Sequence, residues 1–257
     1  MVSPGSLYDL TWSRVRHLGG LAVLARSTLA RMVTPPLDVR EIFRQLDSSG
    51  VRSVNLAAII AVFTGMVMAL QTAYTLSAFG AKFYIGEVVG LSLVRELGPV
   101  LTALMVGGRV GAGITAELGS MTVSDQVDAL RSLGADPVRK LVVPRVWALL
   151  IGLPLLVVLA DFTGIIGGLI ISSWELGLGP TFYLNHVLRL MNYGDFFSGI
   201  GKSVVFAFAI GIVSSYNGLE TRGGADGVGR STTDTVVSVA VTVLALDFFL
   251  TKLFLAI

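Results

Sequence analysis

Five long apolar stretches limit what this chain can fold into. Each is close to or above the roughly 20 residues that an α-helix needs to cross a bilayer. Charged residues make up only 14% of the 257 residues, whereas soluble domains contain about 25%. The sequence therefore predicts an all-α integral membrane protein. The predicted spans are Val54–Leu76, Val88–Ala116, Val142–Ile171, Phe196–Tyr216 and Thr235–Ile257.

The first fifty residues follow a different pattern. Apolar residues and arginines are mixed throughout residues 1–33, whereas a signal peptide carries its charges before an unbroken apolar core. This mixture favours an amphipathic helix that lies in the membrane interface. Thr34-Pro35-Pro36 ends that helix, and Asp38–Leu46 is predicted as a second short helix. We therefore divide the chain into interfacial helices, residues 1–50, and a five-helix transmembrane domain, residues 51–257.

The distribution of Lys and Arg predicts the orientation of the spans. Most of these residues fall in the loops on one side of the membrane, and only Lys82, Arg189 and Lys252 fall on the other side. Loops rich in Lys and Arg stay in the cytoplasm. The N-terminus and the 117–141 loop are therefore predicted to be cytoplasmic, and five spans then place the C-terminus outside.

The loop between the second and third spans is predicted to contain a helix of its own, Ser124–Leu133. Thr122-x-x-Asp125 resembles a capping box, and Val123, Val127 and Leu130 share one helical face. Gly134 can end this helix and Pro137 prevents its continuation. On pattern alone, a solvated connector and a docking site for a soluble partner remain equally open.

Two Gly-containing segments resemble parts of nucleotide-binding sites. Residues 217–233 are rich in Gly but lack the preceding strand and the spacing of a phosphate-binding loop, so we predict a flexible connector. Gly201-Lys202-Ser203 resembles the end of a P-loop, but Phe196 stands where the first Gly is required. The chain is therefore expected not to hydrolyse ATP itself.

Six ionisable residues away from the ends of the predicted spans are candidates for a function, because charges within a membrane are costly and usually functional. They are Arg95, Glu96, Arg109, Asp161, Lys202 and Asp247. Counted along their helices, Glu96, Lys202 and Asp247 lie at similar depth in the outer half of the membrane. Together with Arg95 they could neutralise one another across three helices. Two interpretations stay open, an ion-pair network that fixes helix register and a polar patch that lines a cavity.

Other features narrow the function. Gly107, Gly108 and Gly111 surround Arg109 and are interpreted as helix-packing positions. The chain has no Cys and only two His, which lie far apart, so we predict no metal site and no catalytic residue. The net charge of +2 is interpreted as charge in the loops that sets the orientation of the spans, rather than as a nucleic-acid-binding surface. A rival function is an ion-coupled secondary transporter that uses Glu96, Lys202 and Asp247 as a proton relay.

Several motifs together carry a family resemblance. They are LVRELGPVLTALMVGGRVGAGITAELGSM (93–121), the Asp125-Gln126-x-Asp128-Ala129-Leu130 segment, Gly134-x-Asp136-Pro137-x-Arg139, Val143-Pro144-Arg145, GKSVVFA (201–207), Arg230-Ser231-Thr232-Thr233 and LDFFLT (246–251). These motifs resemble those of the MlaE/YrbE permease family, the membrane subunits of MCE-type ABC lipid transporters. The likeness covers about residues 40–255. Ser124-Asp125-Gln126 departs conservatively from the usual Thr-Glu-Gln, and the family pattern gives no role to Asp161.

The resemblance implies site residues. It implies that Glu96, Lys202 and Asp247 hold family salt-bridge positions and that Arg95 lies beside the lipid-binding region. Leu70, Tyr74, Leu76 and Arg95 would line the substrate cavity. The residues of the ATPase-coupling helix would be Ser124, Asp125, Gln126, Asp128, Leu130 and Arg131.

The resemblance also implies partners. It implies a homodimer in the bacterial inner membrane, with its N-terminus cytoplasmic and its C-terminus periplasmic. Two copies of a cytoplasmic ABC ATPase would supply ATP and Mg²⁺ chemistry, so this chain would need no cofactor. A periplasmic hexamer of MCE-domain proteins would receive or deliver a phospholipid, and a small STAS-type regulator occurs in such systems. A sterol or another lipid is an alternative cargo, and the direction of transport stays open.

Overall fold

The computed structural model describes residues 4–35 and 38–256. These residues form α-helices with short 3₁₀ and π-helical turns, and they contain no strand. Five helical segments are long and apolar enough to cross a membrane, which confirms the predicted all-α membrane fold and the number of spans. They are Val39–Ser77, Lys82–Val123, Val138–Trp174, Tyr193–Leu219 and Gly224–Phe254. Pro36 of the predicted break and Ile257 of the last span lie outside the described residues.

Two helices precede the long apolar helix of the first span. Helix α1 is Pro4–Met32 and α2 is Val39–Ser49. The carboxylate of Asp38 accepts the N–H of Glu41 at 3.2 Å and so caps α2. A 3₁₀ turn, Val51–Ser53, leads into α3, Val54–Ser77.

The second span is interrupted by two π-helical turns. It consists of α4 (Ile85–Ser92), a π turn (Leu93–Leu97), α5 (Gly98–Val106), a second π turn (Gly107–Gly111) and α6 (Ala112–Val123). Pro99 follows the first turn and has no N–H to donate to the preceding turn, which favours a local break in the α-helical pattern. Single π turns occur often at functional sites. Arg95 and Glu96 lie in the first turn and Arg109 in the second.

A short helix lies between the second and third spans. Helix α7 is Gln126–Ser132, shorter than the predicted helix. The predicted capping box is wrong. The Thr122 hydroxyl instead donates to the carbonyls of Leu118, at 2.8 Å, and Gly218, at 3.2 Å. It does so because α6 continues through this position as helix. Gly134 ends α7 in a left-handed conformation (φ +74°), as its position in the sequence predicts.

The third span, α8 (Val143–Trp174), packs closely on α3. A π turn, Val138–Val142, precedes it. A side chain at Gly65 would overlap the carbonyl of Gly164, and one at Gly167 would overlap the carbonyl of Val62. Small residues therefore let the two backbones touch, as in many membrane helix pairs.

The last third of the chain contains an unpredicted helix and an unpredicted extension. Helix α9 is Pro180–Leu190, α10 is Tyr193–Leu219 and α11 is Gly224–Ala256. The prediction that residues 217–233 form a flexible connector is wrong, because α11 already begins at Gly224. The turn itself is formed by Gly223 and Gly224, which have positive φ values of 93° and 66°.

Candidate functional site

A buried lysine joins three spans. Lys202 on α10 is 1% exposed, and its Nζ lies 2.6 Å from Glu96 Oε2 and 3.0 Å from Asp247 Oδ1. It also donates to the hydroxyl of Thr251 at 2.7 Å. Glu96 comes from the first π turn, and Asp247 and Thr251 come from α11. We call these four residues the Lys202 cluster.

The Lys202 cluster holds one cation and two carboxylates. A buried ammonium needs such partners, because an unpaired charge in a low-dielectric interior costs several kcal/mol. Thr251 also donates to Glu96 Oε1 at 3.2 Å, so its hydroxyl links the cation and the acid. The depth estimate from the sequence identified the three charged members. It missed Thr251, whose position one helical turn after Asp247 was the available signal.

Arg95 does not join the Lys202 cluster, so the predicted four-residue network is wrong for this residue. Its Nε donates to Asp195 Oδ1 at 2.6 Å. Successive residues of a helical turn project about 100° apart, so Arg95 and Glu96 reach different partners. Asp195 is also part of the capping box that begins α10, because its Oδ2 accepts the N–H of Asn192 at 2.9 Å. The Asn192-x-x-Asp195 spacing was the sequence signal for this acid.

Two cavities adjoin these ion pairs. One, of about 500 Å³, is lined by Glu96, Leu244, Asp247, Phe248, Thr251 and Lys252. The other, of about 490 Å³, is lined in part by Arg95, Glu96, Asp195, Phe197, Lys202 and Phe254. Both therefore combine charged groups with aromatic walls. Such a surface suits a ligand with a charged end and an apolar body.

The predicted cavity residues of α3 lie elsewhere. Neither of these two cavities is lined by Leu70, Tyr74 or Leu76. Tyr74 is 87% exposed and Leu70 is also exposed. Leu76 is partly buried and packs against a hydrophobic cluster that includes Tyr183 and Val187. Within one chain, therefore, the structure does not bring these residues to the Lys202 cluster.

The glycines around Arg109 differ from one another. Side chains at Gly107 and Gly111 would collide with Val239 and Ser214 respectively, so these two glycines permit close helix packing. Gly108 has no atom within 4 Å of the position of a Cβ, so the packing prediction is wrong for it within this chain. Arg109 itself donates to the Ser53 hydroxyl at 3.1 Å and to the Arg52 carbonyl.

The predicted coupling segment is a small exposed surface. Ser124, Asp125 and Gln126 are exposed, and Asp128 and Arg131 form an exposed ion pair at 2.8 Å. Val127 is buried, and Leu130 packs partly buried against the main core. The apolar face of α7 thus attaches it to the bundle while its polar face stays accessible.

A buried network of hydroxyl and amide groups ties α6, α10 and α11 together. The Thr115 hydroxyl lies 2.9 Å from the Ser214 carbonyl and 2.9 Å from the Thr235 hydroxyl. Asn217 donates to Thr235 at 2.9 Å. Scattered Thr, Ser and Asn in apolar runs gave no sequence signal for this network. It links α6, which leads towards α7, to the last two spans.

Asp161 is a buried carboxyl without a complete set of partners. It is 6% exposed, and among the described residues its Oδ1 has no hydrogen-bond partner. A side chain at Gly98 would overlap this oxygen. The carboxyl therefore occupies the space that Gly98 leaves beside the first π turn.

The fold and these sites define a multi-pass membrane protein with a polar cluster between its helices. Comparison with known proteins identifies the family. Residues 42–253 match the model of the family Permease MlaE, and the chain belongs to this family of ABC transporter permease subunits. A transport component of this kind is not an enzyme.

Three relatives illustrate the range of the family. The chain is 41% identical to a probable ABC transporter permease protein of Rickettsia felis, over 93% of this chain and 92% of the relative. It is 36% identical to the intermembrane phospholipid transport system permease protein MlaE of Haemophilus influenzae, over 82% and 81%. It is 35% identical to the chloroplastic protein TRIGALACTOSYLDIACYLGLYCEROL 1 of Arabidopsis thaliana, over 95% and 70%.

Proposed function

We propose that this chain is the permease subunit of an ATP-driven transporter that moves phospholipids between the bacterial inner membrane and a periplasmic ring of MCE-domain proteins. The observation that carries this proposal is the Lys202 cluster, which places buried charges beside two cavities with aromatic walls. A phospholipid has the matching chemistry, a charged head group and apolar tails. The name of the Haemophilus influenzae relative, a phospholipid transport permease, supports the same cargo.

A homodimer would complete the cavities. In the most apolar stretch of the fifth span, only 11% of the residues are buried within the chain. Leu244, Phe248 and Phe249 on this helix are exposed. Because α11 also supplies Asp247 and Thr251 to the Lys202 cluster, a second copy packed on α11 would enclose a lipid held there. Leu70 and Tyr74 would then belong to the combined cavity.

The energy would come from two copies of a cytoplasmic ABC ATPase, which would hold ATP and Mg²⁺ and dock on α7. Closure of the ATPases would push α7. The movement would pass through Val127 and the Thr115–Asn217–Thr235 network to α10 and α11, and would narrow the cavities. In this proposal residues 1–50 form an interfacial unit and residues 51–257 the transport domain. The N-terminus is cytoplasmic and the C-terminus periplasmic.

The docking step can be tested by reversing a charge on α7. Asp128 is exposed and, among the described residues, its carboxylate pairs locally with Arg131, one helical turn away, so Asp128→Lys should leave the fold intact. We expect this variant to lose co-purification of the ATPase and lipid transfer to an MCE acceptor. Lys82→Glu, a charge reversal at an exposed residue at the other end of the second span, is the matched control. Normal ATPase binding and lipid transfer by Asp128→Lys would overturn the docking assignment.

An ion-coupled secondary transporter is not favoured by the family assignment. The two mechanisms differ in one measurement. Lipid transfer in proteoliposomes should require ATP and the partner ATPase and should be unchanged when the membrane potential is collapsed. A proton relay through Glu96, Lys202 and Asp247 would give the opposite pattern.

A further inference from the structure

A third cavity lies at the beginning of the third span. No residue of the Lys202 cluster lines it. Its volume is about 550 Å³, within the range of ligand sites. It lies between α2 and the segment that leads from α7 into α8. The lining includes Val39, Ile42, Asp136, Arg139, Lys140 and Val143. Apolar and charged groups are therefore again combined.

Most of the charges around this cavity have partners among the described residues. Asp136 pairs with Arg31 of α1 and accepts the N–H of Val138 at 3.0 Å. Asp38, which also lines the cavity, is engaged in capping α2. Arg139 donates to the Thr34 carbonyl at 3.3 Å. Lys140 is exposed, and none of the ion pairs among the described residues includes it.

The residues around the cavity suit contact with a membrane surface. Val39 and Phe43 of α2 are exposed, Phe43 by 66%, which is typical of a helix whose apolar side chains enter the bilayer interface. The cavity also lies where two of the long segments begin, since Val39 and Val138 are the first residues of the helical segments that contain the first and third spans. A lipid head group would meet Lys140 there while its chains follow the apolar side chains.

We propose that this cavity binds the head group of an anionic phospholipid from the leaflet that surrounds α2, with the phosphate against Lys140. Basic pockets between transmembrane helices recognise anionic lipids in this way. The bound lipid would fasten α2 to the segment between α7 and α8. This site is distinct from the proposed transport cavities and does not depend on the transport function.

The test uses the full-length chain in a zwitterionic detergent and follows its thermal unfolding while short-chain phosphatidylglycerol is added. Phosphatidylcholine of the same chain length and inorganic phosphate are added in parallel. We expect phosphatidylglycerol alone to raise the unfolding temperature. In Lys140→Gln, the phosphatidylglycerol concentration that gives half of the rise in unfolding temperature should be about fivefold higher. This factor corresponds to the loss of one cation near an anionic lipid surface.

Two variants control for general effects of charge. Lys140→Arg keeps the cation and should respond as the wild type does. Arg40→Gln removes an exposed cation of α2 that is outside the cavity lining, and its response should also be unchanged. An equal response to phosphatidylcholine, an unchanged response of Lys140→Gln, or a full effect of inorganic phosphate would each overturn the proposal. Lipid binding at the Lys202 cluster would leave the response independent of residue 140, so the two sites are separable.

Discussion

Replacing Lys202 by Met tests whether its charge holds the three spans together. The substitution keeps an unbranched side chain of similar length but removes the ammonium. Glu96 and Asp247, whose oxygens lie 2.6 and 3.0 Å from Nζ, would then face each other without a cation. The charge of the group would change from −1 to −2 if both acids stay ionised.

The size of the effect follows from burial. Removing one member of a buried ion pair costs about 3–5 kcal/mol. The side chains of Glu96 and Asp247 are 39% and 21% exposed, so water can solvate part of their charge. We therefore expect a loss of about 3 kcal/mol, the lower end of that range. Equilibrium unfolding in mixed micelles with increasing sodium dodecyl sulfate measures this difference.

A triple variant separates structure from function. Lys202→Met combined with Glu96→Gln and Asp247→Asn removes every charge of the cluster, and replacing a whole buried ion pair by neutral groups is often close to neutral for stability. We expect the triple variant to regain most of the lost free energy of unfolding but to transfer no lipid. Wild-type stability of Lys202→Met would refute the reasoning. Full lipid transfer by the triple variant would show that the cluster only fixes helix register.

Two further predictions concern packing and pH. Gly167→Val should lower the free energy of unfolding by at least about 1–3 kcal/mol, because the side chain would overlap the Val62 carbonyl. Gly108→Ala, where the space is open, is its control and should be neutral. Burial raises the pKa of Tyr183 on α9 above its ordinary value. Stability linked to Tyr183 is therefore complete below about pH 10, the ordinary tyrosine pKa, and falls as the pH rises further. Tyr183→Phe should be near neutral at pH 7, because the described residues give the hydroxyl no hydrogen-bond partner, and should lessen the alkaline loss. An unchanged alkaline decline, followed by circular dichroism, would contradict this assignment.

Local sequence patterns predicted the spans well and their ends less well. Apolar runs reveal a membrane helix because the bilayer fixes its length. The glycine content of residues 224–233 indicated a flexible connector, but this segment is helical. A low intrinsic helix propensity is outweighed when the residues continue a long helix, and Gly227 fits closely against the Arg222 carbonyl.

The sequence by itself determined the membrane fold, the number of spans and the similar depth of Glu96, Lys202 and Asp247. The reason is that the length of an apolar run and the helical rise per residue can both be read along the chain. Only the tertiary structure decided which charges meet. Arg95 pairs with Asp195, while the adjacent Glu96 pairs with Lys202, because the direction of each side chain depends on the π turn and on the rotation of the neighbouring helices. Rotation about the helix axis is set by packing between helices, which a pattern along the chain does not contain.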